Sequence, residues 1–198
     1  MASIFNSTIE LKGEKVKLIP LKIEHANNLL EASDDGNLSK LWFTSVPDKT
    51  NINTYIKTAL NEFKNGKSIP FTVVETTSGR IIGSTRFMNI DSKNKRLEIG
   101  HTWYSKSHQK TGINIESKLL LLTYAFEELN CIAVEFRTHW HNLPSRNAIA
   151  KLGAKQDGIL RNHSYDKMGN LRDTVVFSII KSEWQTVKYN LIYRLDNR

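Results

Sequence analysis

The sequence predicts a mixed α/β fold in which helices cover both faces of one largely antiparallel sheet. Segments with strand patterns and segments with helical patterns follow one another in the order β α α β β β α β α β β. The strand–helix–strand unit near the middle of this order should form a parallel pair through a right-handed crossover. The other strands follow each other through short turns, which favours antiparallel pairing.

The first half of the chain predicts one strand, two helices and a hairpin. Val16–Leu21 alternates between apolar and polar residues and reads as a strand. Apolar residues at helical spacing then mark one helix near residues 22–33 and a second over Thr50–Lys64. Two further strands flank the glycine-containing turn Thr77–Arg80.

The second half predicts alternating strands and helices that end in a hairpin. Residues 95–105 form a strand, and a long helix follows over Ile113–Leu129. Residues 131–140 form the next strand, and a short helix follows near residues 143–155. The last two strands flank the turn Asp166–Asn170.

Length and composition indicate a single domain in a reducing compartment. We expect residues 1–198 to form one domain, with 1–10 and 189–198 as terminal extensions. No segment approaches the roughly 20 apolar residues needed to span a bilayer, and the first residues lack a secretory pattern. Cys131 is the only cysteine, so no intrachain disulfide can form. These features predict a cytoplasmic protein with no membrane partner.

The formal net charge of +8 points to anionic ligands without naming one. Lys and Arg divide evenly between the two halves of the chain, whereas nucleic-acid binders usually concentrate their charge. We therefore expect no DNA partner. RNA or ribosome proximity stays open, and a polyanionic small molecule would also suit this surface.

The segment Ser107–Leu122 joins a polar loop to a strongly apolar helix, with Gly112 at the junction. Backbone N–H groups at such a junction can bind a phosphate group. An ordinary helix cap beside a solvated lysine would have the same pattern.

Four stretches together resemble the GNAT superfamily of acyl-coenzyme-A-dependent N-acetyltransferases, in particular its branch of ribosomal-protein N-terminal acetyltransferases. The similarity extends from Leu11 to Trp184, and the order and spacing of the stretches make it fairly specific. The four stretches are LKGEKVKLIPL, LEIGHTWYSKSHQKTGINIESKLLLLTYAFEELN, HNLPSRNAIAKLGAKQDGILR and FSIIKSEW.

The resemblance implies an enzyme that transfers an acetyl group from acetyl-CoA to a primary amine. The acceptor would be a protein N-terminal α-amine or a small-molecule amine, and no metal would be needed. The implied assembly is a monomer or a homodimer. Two other functions stay open: a non-catalytic acyl-CoA sensor on the same fold, and an RNA- or ribosome-binding protein.

The resemblance also implies the cofactor-binding residues. The pyrophosphate of coenzyme A would lie on the loop and helix start at 109–114, and the pantetheine arm would pair with backbone near the end of the preceding strand. Asn114 departs from the superfamily pattern, which has a second small residue there. The implied cofactor-binding residues are Trp103, Tyr104, Gln109, Lys110, Thr111, Gly112, Ile113, Asn114 and Asn142.

Glu98 and Ser145 are the predicted catalytic residues. Glu98 matches an acidic position common in the branch and would accept the amine proton, and Ser145 would donate a proton to the departing thiolate. Ser145 and Asn142 would also suit a plain helix cap. His101 has a suitable intrinsic pKa but shares a predicted strand face with Leu97, Ile99 and Trp103.

Trp42, Phe43 and Tyr165 are candidate residues of the acceptor pocket, although the sequence favours packing at the edge of the core slightly more for each. His139, His141 and His163 are scattered along the sequence, and with one cysteine they do not form a metal-binding pattern.

Overall fold

The computed structural model describes residues 9–197, which form one eight-stranded sheet with helices on both faces. The elements are, in chain order, β1 (Leu11–Lys12), β2 (Val16–Pro20), α1 (Ala26–Asp34), α2 (Ile52–Lys64), β3 (Ser68–Glu75), β4 (Ile81–Asp91), β5 (Arg96–Tyr104), α3 (Ile113–Thr123), β6 (Ala133–His139), α4 (Leu143–Lys151), β7 (Lys155–Tyr165), β8 (Leu171–Ile180) and α5 (Trp184–Asp196).

The predicted fold class is confirmed. The strand order is β1-β2-β3-β4-β5-β6-β8-β7, and the pairs are antiparallel except for β5 with β6. The chain crosses from β5 to β6 through α3, as the strand–helix–strand pattern predicts. The sequence reading did not include β1 or α5, which extend the sheet and the helical layer respectively.

Two apolar layers hold the sheet. The larger core lies between the sheet and helices α3, α4 and α5, and includes Phe87, Leu121 and Phe177. The smaller core lies between the other face and helices α1 and α2, and includes Leu29 and Ile56.

The start of β2 is tied to α3 by one carboxylate. Glu116, in the first turn of α3, accepts hydrogen bonds from the backbone N–H groups of Glu14, Lys15 and Val16, at 3.0, 2.8 and 2.8 Å. Hydrogen bonds to a charged acceptor are among the stronger ones in proteins. This contact fixes the start of α3 relative to the sheet.

Gly83 allows β4 to approach β5 closely. A Cβ atom at this position would collide with the carbonyl oxygen of Trp103 and lie 3.0 Å from the Cα of Tyr104. Both contacts are backbone atoms, so no side-chain rotation can relieve them.

We expect Gly83→Ala to lower the free energy of unfolding by about 3 kcal/mol, because the strands must separate to admit the methyl group. Urea denaturation measures the change. Gly158→Ala is the matched control, since a Cβ there meets nothing within 4 Å. Equal stability of the two variants would contradict this account of β4 and β5.

Candidate active site

The central feature is a gap between the carboxyl ends of the two parallel strands. Strands β5 and β6 pair only over Arg96–Glu98 and Ala133–Glu135. Beyond this point β5 pairs only with β4, and β6 pairs only with β8. Residues 99–104 therefore present an unpaired backbone edge to the gap, which suits the addition of an extended ligand.

The loop at the open end of this gap ends in a helix N-terminus. Gly112 is the N-cap of α3, with a left-handed φ of 100°, and Lys110 is also left-handed, with φ of 64°. The first turn of α3 directs N–H groups without intrahelical acceptors toward the loop. Asn114 lies within this turn and, unlike Gly112, does not need an unusual backbone conformation.

The loop is held in place from both sides. The Gln109 side chain donates to the carbonyl oxygen of Tyr104 at 3.1 Å, and the Thr111 hydroxyl donates to the carbonyl oxygen of His108 at 2.8 Å. Asp35, at the end of α1, accepts hydrogen bonds from the backbone N–H and the hydroxyl of Ser107. These contacts hold the loop at the start of α3, a kind of geometry that suits an anion.

A β-bulge in β5 reverses the predicted alternation of its side chains. Ser84 pairs with Trp103 but Arg86 pairs with Gly100, so β5 contains one extra residue between these pairs. His101 lies in this bulge with a left-handed φ of 48°. The sequence reading, which continued the alternation through this point, is therefore wrong beyond Gly100.

The bulge changes which residues share a face. Leu97 and Ile99 pack in the larger core, and Tyr104 joins them there. Trp103 packs instead in the smaller core beside α1 and α2. The side chains of Trp103 and Tyr104 are both core aromatics, so only their backbone is available to the gap.

Glu98 lies at the point where β5 and β6 separate. It is 5% exposed, its Oε2 accepts a hydrogen bond from Asn89 Nδ2 at 2.8 Å, and Arg137 Nε lies 3.5 Å from the same oxygen. Burial raises the pKa of Glu98, although Asn89 and Arg137 offset part of this effect. Its carboxylate borders an open cleft of about 460 Å³.

His101 is a poorer proton acceptor than Glu98. Burial and then the nearby charge of Arg86 lower the pKa of His101 to about 4. Its ring lies 6.1 Å from the ring of Tyr55 on α2. Burial disfavours the protonated imidazole because that form is charged, whereas burial favours the protonated form of Glu98 because that form is neutral.

Asn142 and Ser145 lie at the start of α4, which follows β6. Asn142 is the N-cap of this helix, and its Oδ1 accepts a hydrogen bond from the Ser145 backbone N–H at 3.1 Å. This contact is the helix-cap arrangement that the residue types also predict. It uses Asn142 Oδ1 and the backbone of Ser145, and leaves the Ser145 hydroxyl for other contacts.

Trp42 and Phe43 lie in the loop between α1 and α2, and their ring centroids are 5.5 Å apart. Trp42 is 41% exposed, and Tyr165, at the end of β7, is 71% exposed. The hairpin that follows Tyr165 contacts the Trp42 loop, because Lys167 Nζ donates to the carbonyl oxygens of Ser39 and Leu41, each at 2.8 Å.

Two of the three histidines that are scattered in the sequence lie together in the structure. The rings of His139 and His141 are 5.6 Å apart, and Trp42 lies 5.0 Å from His139. Within residues 9–197, no three His, Cys, Asp or Glu side chains form a group that could hold a metal ion. No helix of this part of the chain is long and apolar enough to cross a bilayer.

Sequence reasoning missed Lys118, an ionisable residue buried between α3 and the sheet. It is 4% exposed, and its Nζ donates to the hydroxyls of Thr102 at 2.8 Å and Thr85 at 3.5 Å. Burial lowers the pKa of Lys118 from 10.5 to about 7. Its position three residues after Ile115, within the apolar stripe of α3, was the available signal.

We expect Lys118→Met to raise the free energy of unfolding at pH 7 by about 3–5 kcal/mol, because it removes a buried amine that the unfolded chain would protonate. Between pH 7 and pH 10.5 the folded parent binds fewer protons at this site than the unfolded chain. The stability of the parent should therefore rise with pH in this window, and the variant should lack that contribution.

Urea denaturation of both proteins at pH 7 and pH 9 measures this difference. Lys188→Met is the control, because its amine pairs with Glu127 near the surface. An unchanged pH dependence in Lys118→Met would show that the buried amine does not titrate in this range.

Together these features suit transfer of an acyl group from a phosphate-bearing carrier. The loop at the start of α3 offers N–H donors to phosphate, the gap between β5 and β6 offers backbone to an extended arm, and a carboxylate of raised pKa lies at the closed end of the gap. Such an arrangement positions two substrates and accepts one proton.

Comparison with known proteins agrees with this interpretation. Residues 15–155 match the family model described as an Acetyltransferase (GNAT) domain. The uncharacterized N-acetyltransferase p20 of Bacillus licheniformis is 27% identical over 175 residues, which cover 88% of this chain and 97% of p20. YdaF of Bacillus subtilis, provisionally named a ribosomal N-acetyltransferase, is 27% identical over 81% of this chain and 93% of its own length.

Solved structures give the same result. A GCN5-related N-acetyltransferase from Brucella melitensis superposes with a TM-score of 0.84 at 28% identity, covering 96% of this chain and 86% of that chain. The chain belongs to the GNAT acetyltransferase family and is an acetyl-CoA-dependent acyltransferase.

Proposed function

We propose that the chain is an N-acetyltransferase that acts on a protein N-terminal α-amine or on a small-molecule amine. The gap between β5 and β6, which opens toward the start of α3, is the observation that carries the proposal. The name of YdaF supports a ribosomal-protein acceptor among these possibilities.

Acetyl-CoA would bind with its pyrophosphate on the loop at 109–114. The N–H groups at the start of α3 would donate to phosphate oxygens, and Lys110 would add positive charge. The pantetheine arm would extend along the unpaired edge of β5 at Trp103 and Tyr104. Asn142, at the start of the helix that follows β6, would contact the arm from the other strand. The thioester would then lie toward the closed end of the gap.

Glu98 would take a proton from the acceptor ammonium, so that the neutral amine attacks the thioester carbonyl carbon. A C–N bond forms, the C–S bond breaks, and coenzyme A leaves as a thiolate. The nitrogen that has attacked loses its second proton, and the Ser145 hydroxyl would relay a proton to the thiolate, directly or through water, so that the serine ends in its original protonated form. Trp42, Phe43 and Tyr165 would border the acceptor, since they lie on the loop and the hairpin that Lys167 joins.

Thiol release from acetyl-CoA, measured with a panel of peptides and small amines, tests this function. Cys131 is buried, so it adds little to the thiol signal. We expect release that depends on an acceptor amine. Acetyl-CoA binding without release for any acceptor would overturn the proposal.

A further inference from the structure

Two buried N–H donors lack an acceptor on the same face of the sheet. His139 Nε2 and Arg172 Nε are both inaccessible to solvent, and neither has a hydrogen-bond partner among residues 9–197. A buried donor left without an acceptor destabilises the fold. An acceptor from outside the chain, either a water molecule or a ligand group, would satisfy both donors.

The two donors flank one threonine. His139 on β6 pairs in register with Thr174 on β8, and Arg172 Nη2 donates to the Thr174 hydroxyl at 3.3 Å. His163 Nδ1 lies 3.1 Å from the same hydroxyl. Arg172 and His139 are close enough that the arginine charge contributes to lowering the pKa of His139.

The backbone fixes the imidazole of His139 as a donor at Nε2. The backbone N–H of His141 donates to His139 Nδ1 at 3.0 Å, so Nδ1 must be unprotonated. The proton of the neutral ring is therefore on Nε2. Desolvation, the largest cause, and the charge of Arg172 both lower the pKa of His139, so the ring is neutral at pH 7.

Asp166 and Asp173 bring negative charge near His139, and Asp166 also acts on Arg172, but both carboxylates have other hydrogen-bond partners. Asp173 pairs with Arg161 and accepts the backbone N–H of Asn162. Asp166 accepts backbone N–H groups within its own turn, from Met168 and Asn170. Within the described residues, no carboxylate lies within ion-pair distance of the Arg172 guanidinium.

The donors lie beneath the proposed acceptor pocket. The ring of Trp42 packs edge-on against His139 with a centroid distance of 5.0 Å. Trp42 is on a loop that Lys167 connects to the same hairpin as Arg172. An acceptor that reaches His139 from the side of Trp42 would have to displace this partly exposed side chain.

We propose that His139 and Arg172 bind an oxyanion carried by the amine acceptor, either a carboxylate or a phosphate group. This rests on the proposed acetyl transfer to a primary amine. His139 Nε2 and Arg172 Nε each donate one hydrogen bond to the oxyanion, whose charge the unpaired guanidinium balances. The enzyme would select amines by the anionic group that accompanies them.

Matched acceptors test this selection. O-phosphoethanolamine and ethanolamine differ in a phosphate group, and glycylglycine and glycylglycinamide differ in a carboxylate. We expect kcat/KM to be about tenfold or more higher for the anionic member of at least one pair, and the pair that responds identifies the anion. Equal values within both pairs would overturn the proposal.

Two variants separate recognition from general charge effects. Arg172→Gln should lower kcat/KM for the preferred anionic acceptor about tenfold more than for its neutral partner. Arg161→Gln is the matched control, because it removes an arginine of the same hairpin that already pairs with Asp173. If Arg161→Gln reduced the preference as much as Arg172→Gln, bulk charge would explain it and the proposal would fail.

A binding measurement distinguishes this proposal from the proposed function. In protein with 15N-labelled histidine, inorganic phosphate or acetate should shift the Nε2 resonance of His139, and Arg172→Gln should abolish the shift. A shift without acetylation of any amine would support the anion site and contradict the proposed function. Acetylation without a shift and without anion preference would support the function and overturn the anion site.

Discussion

Glu98→Gln should lower kcat for acetyl transfer roughly 100- to 10,000-fold and leave acetyl-CoA affinity nearly unchanged. Glutamine has the same size and can still contact Asn89 and Arg137, but its amide cannot take the amine proton. Thiol release under steady-state conditions measures kcat, and calorimetry measures acetyl-CoA affinity in the same variant.

The control for this result is Glu127→Gln, which makes the same chemical change where the carboxylate contacts Trp184 and Lys188.

The parent should also lose activity on acidification. Burial raises the pKa of Glu98 above 4.5, so the ionised base disappears at a higher pH than for an ordinary glutamate. A Glu98→Gln variant with parental kcat would remove Glu98 from the mechanism.

Gly112→Val should weaken acetyl-CoA binding roughly 10- to 100-fold. Valine at a φ of 100° costs about 1–3 kcal/mol, and the helix start must rearrange to relieve this strain. The rearrangement redirects the N–H groups that would hold the pyrophosphate. Calorimetric titration with acetyl-CoA measures the change.

Gly169→Val is the matched control, because Gly169 has a similar φ of 84° in the hairpin turn and no atom within 4 Å of an added Cβ. The Gly169→Val variant should have a similar backbone strain but should keep the acetyl-CoA affinity of the parent. Equal loss in both variants would show that stability, and not the loop at 109–114, determines the affinity.

The elements of the fold were predictable because their patterns are local. The 3.6-residue period predicts a helix over Ile113–Leu129, and the structure has α3 from Ile113 to Thr123 and one π-helical turn over Tyr124–Glu128. The turn Asp166–Asn170 joins β7 to β8 as predicted. Strand β5 also ends at Tyr104, where the sequence places the start of the loop.

The bulge in β5 was not predictable, because its signal is not local. Gly100, next to His101, is a weak sign of a bulge inside a strand, but the extra residue itself is defined only by pairing with β4. The extrapolated alternation therefore assigned Thr102 and Trp103 to the wrong faces. In the structure Thr102 reaches Lys118 and Trp103 reaches the α2 side.

The proximity of residues that are distant in the sequence was not predictable either. His139, Arg172 and Trp42 are far apart in the sequence, and only the β6–β8 register and the Lys167 contacts bring them together. The Asn142 side chain illustrates another limit. Its residue type predicts both a helix cap and a ligand contact, and the cap is formed in the structure.

The most direct test of the account is the mass of an amine acceptor after incubation with acetyl-CoA and the protein. We expect the acceptor to gain the mass of one acetyl group on its amine, and we expect Glu98→Gln to abolish most of this gain. Saturable acetyl-CoA binding with no acetylated product from any peptide or small amine would contradict it.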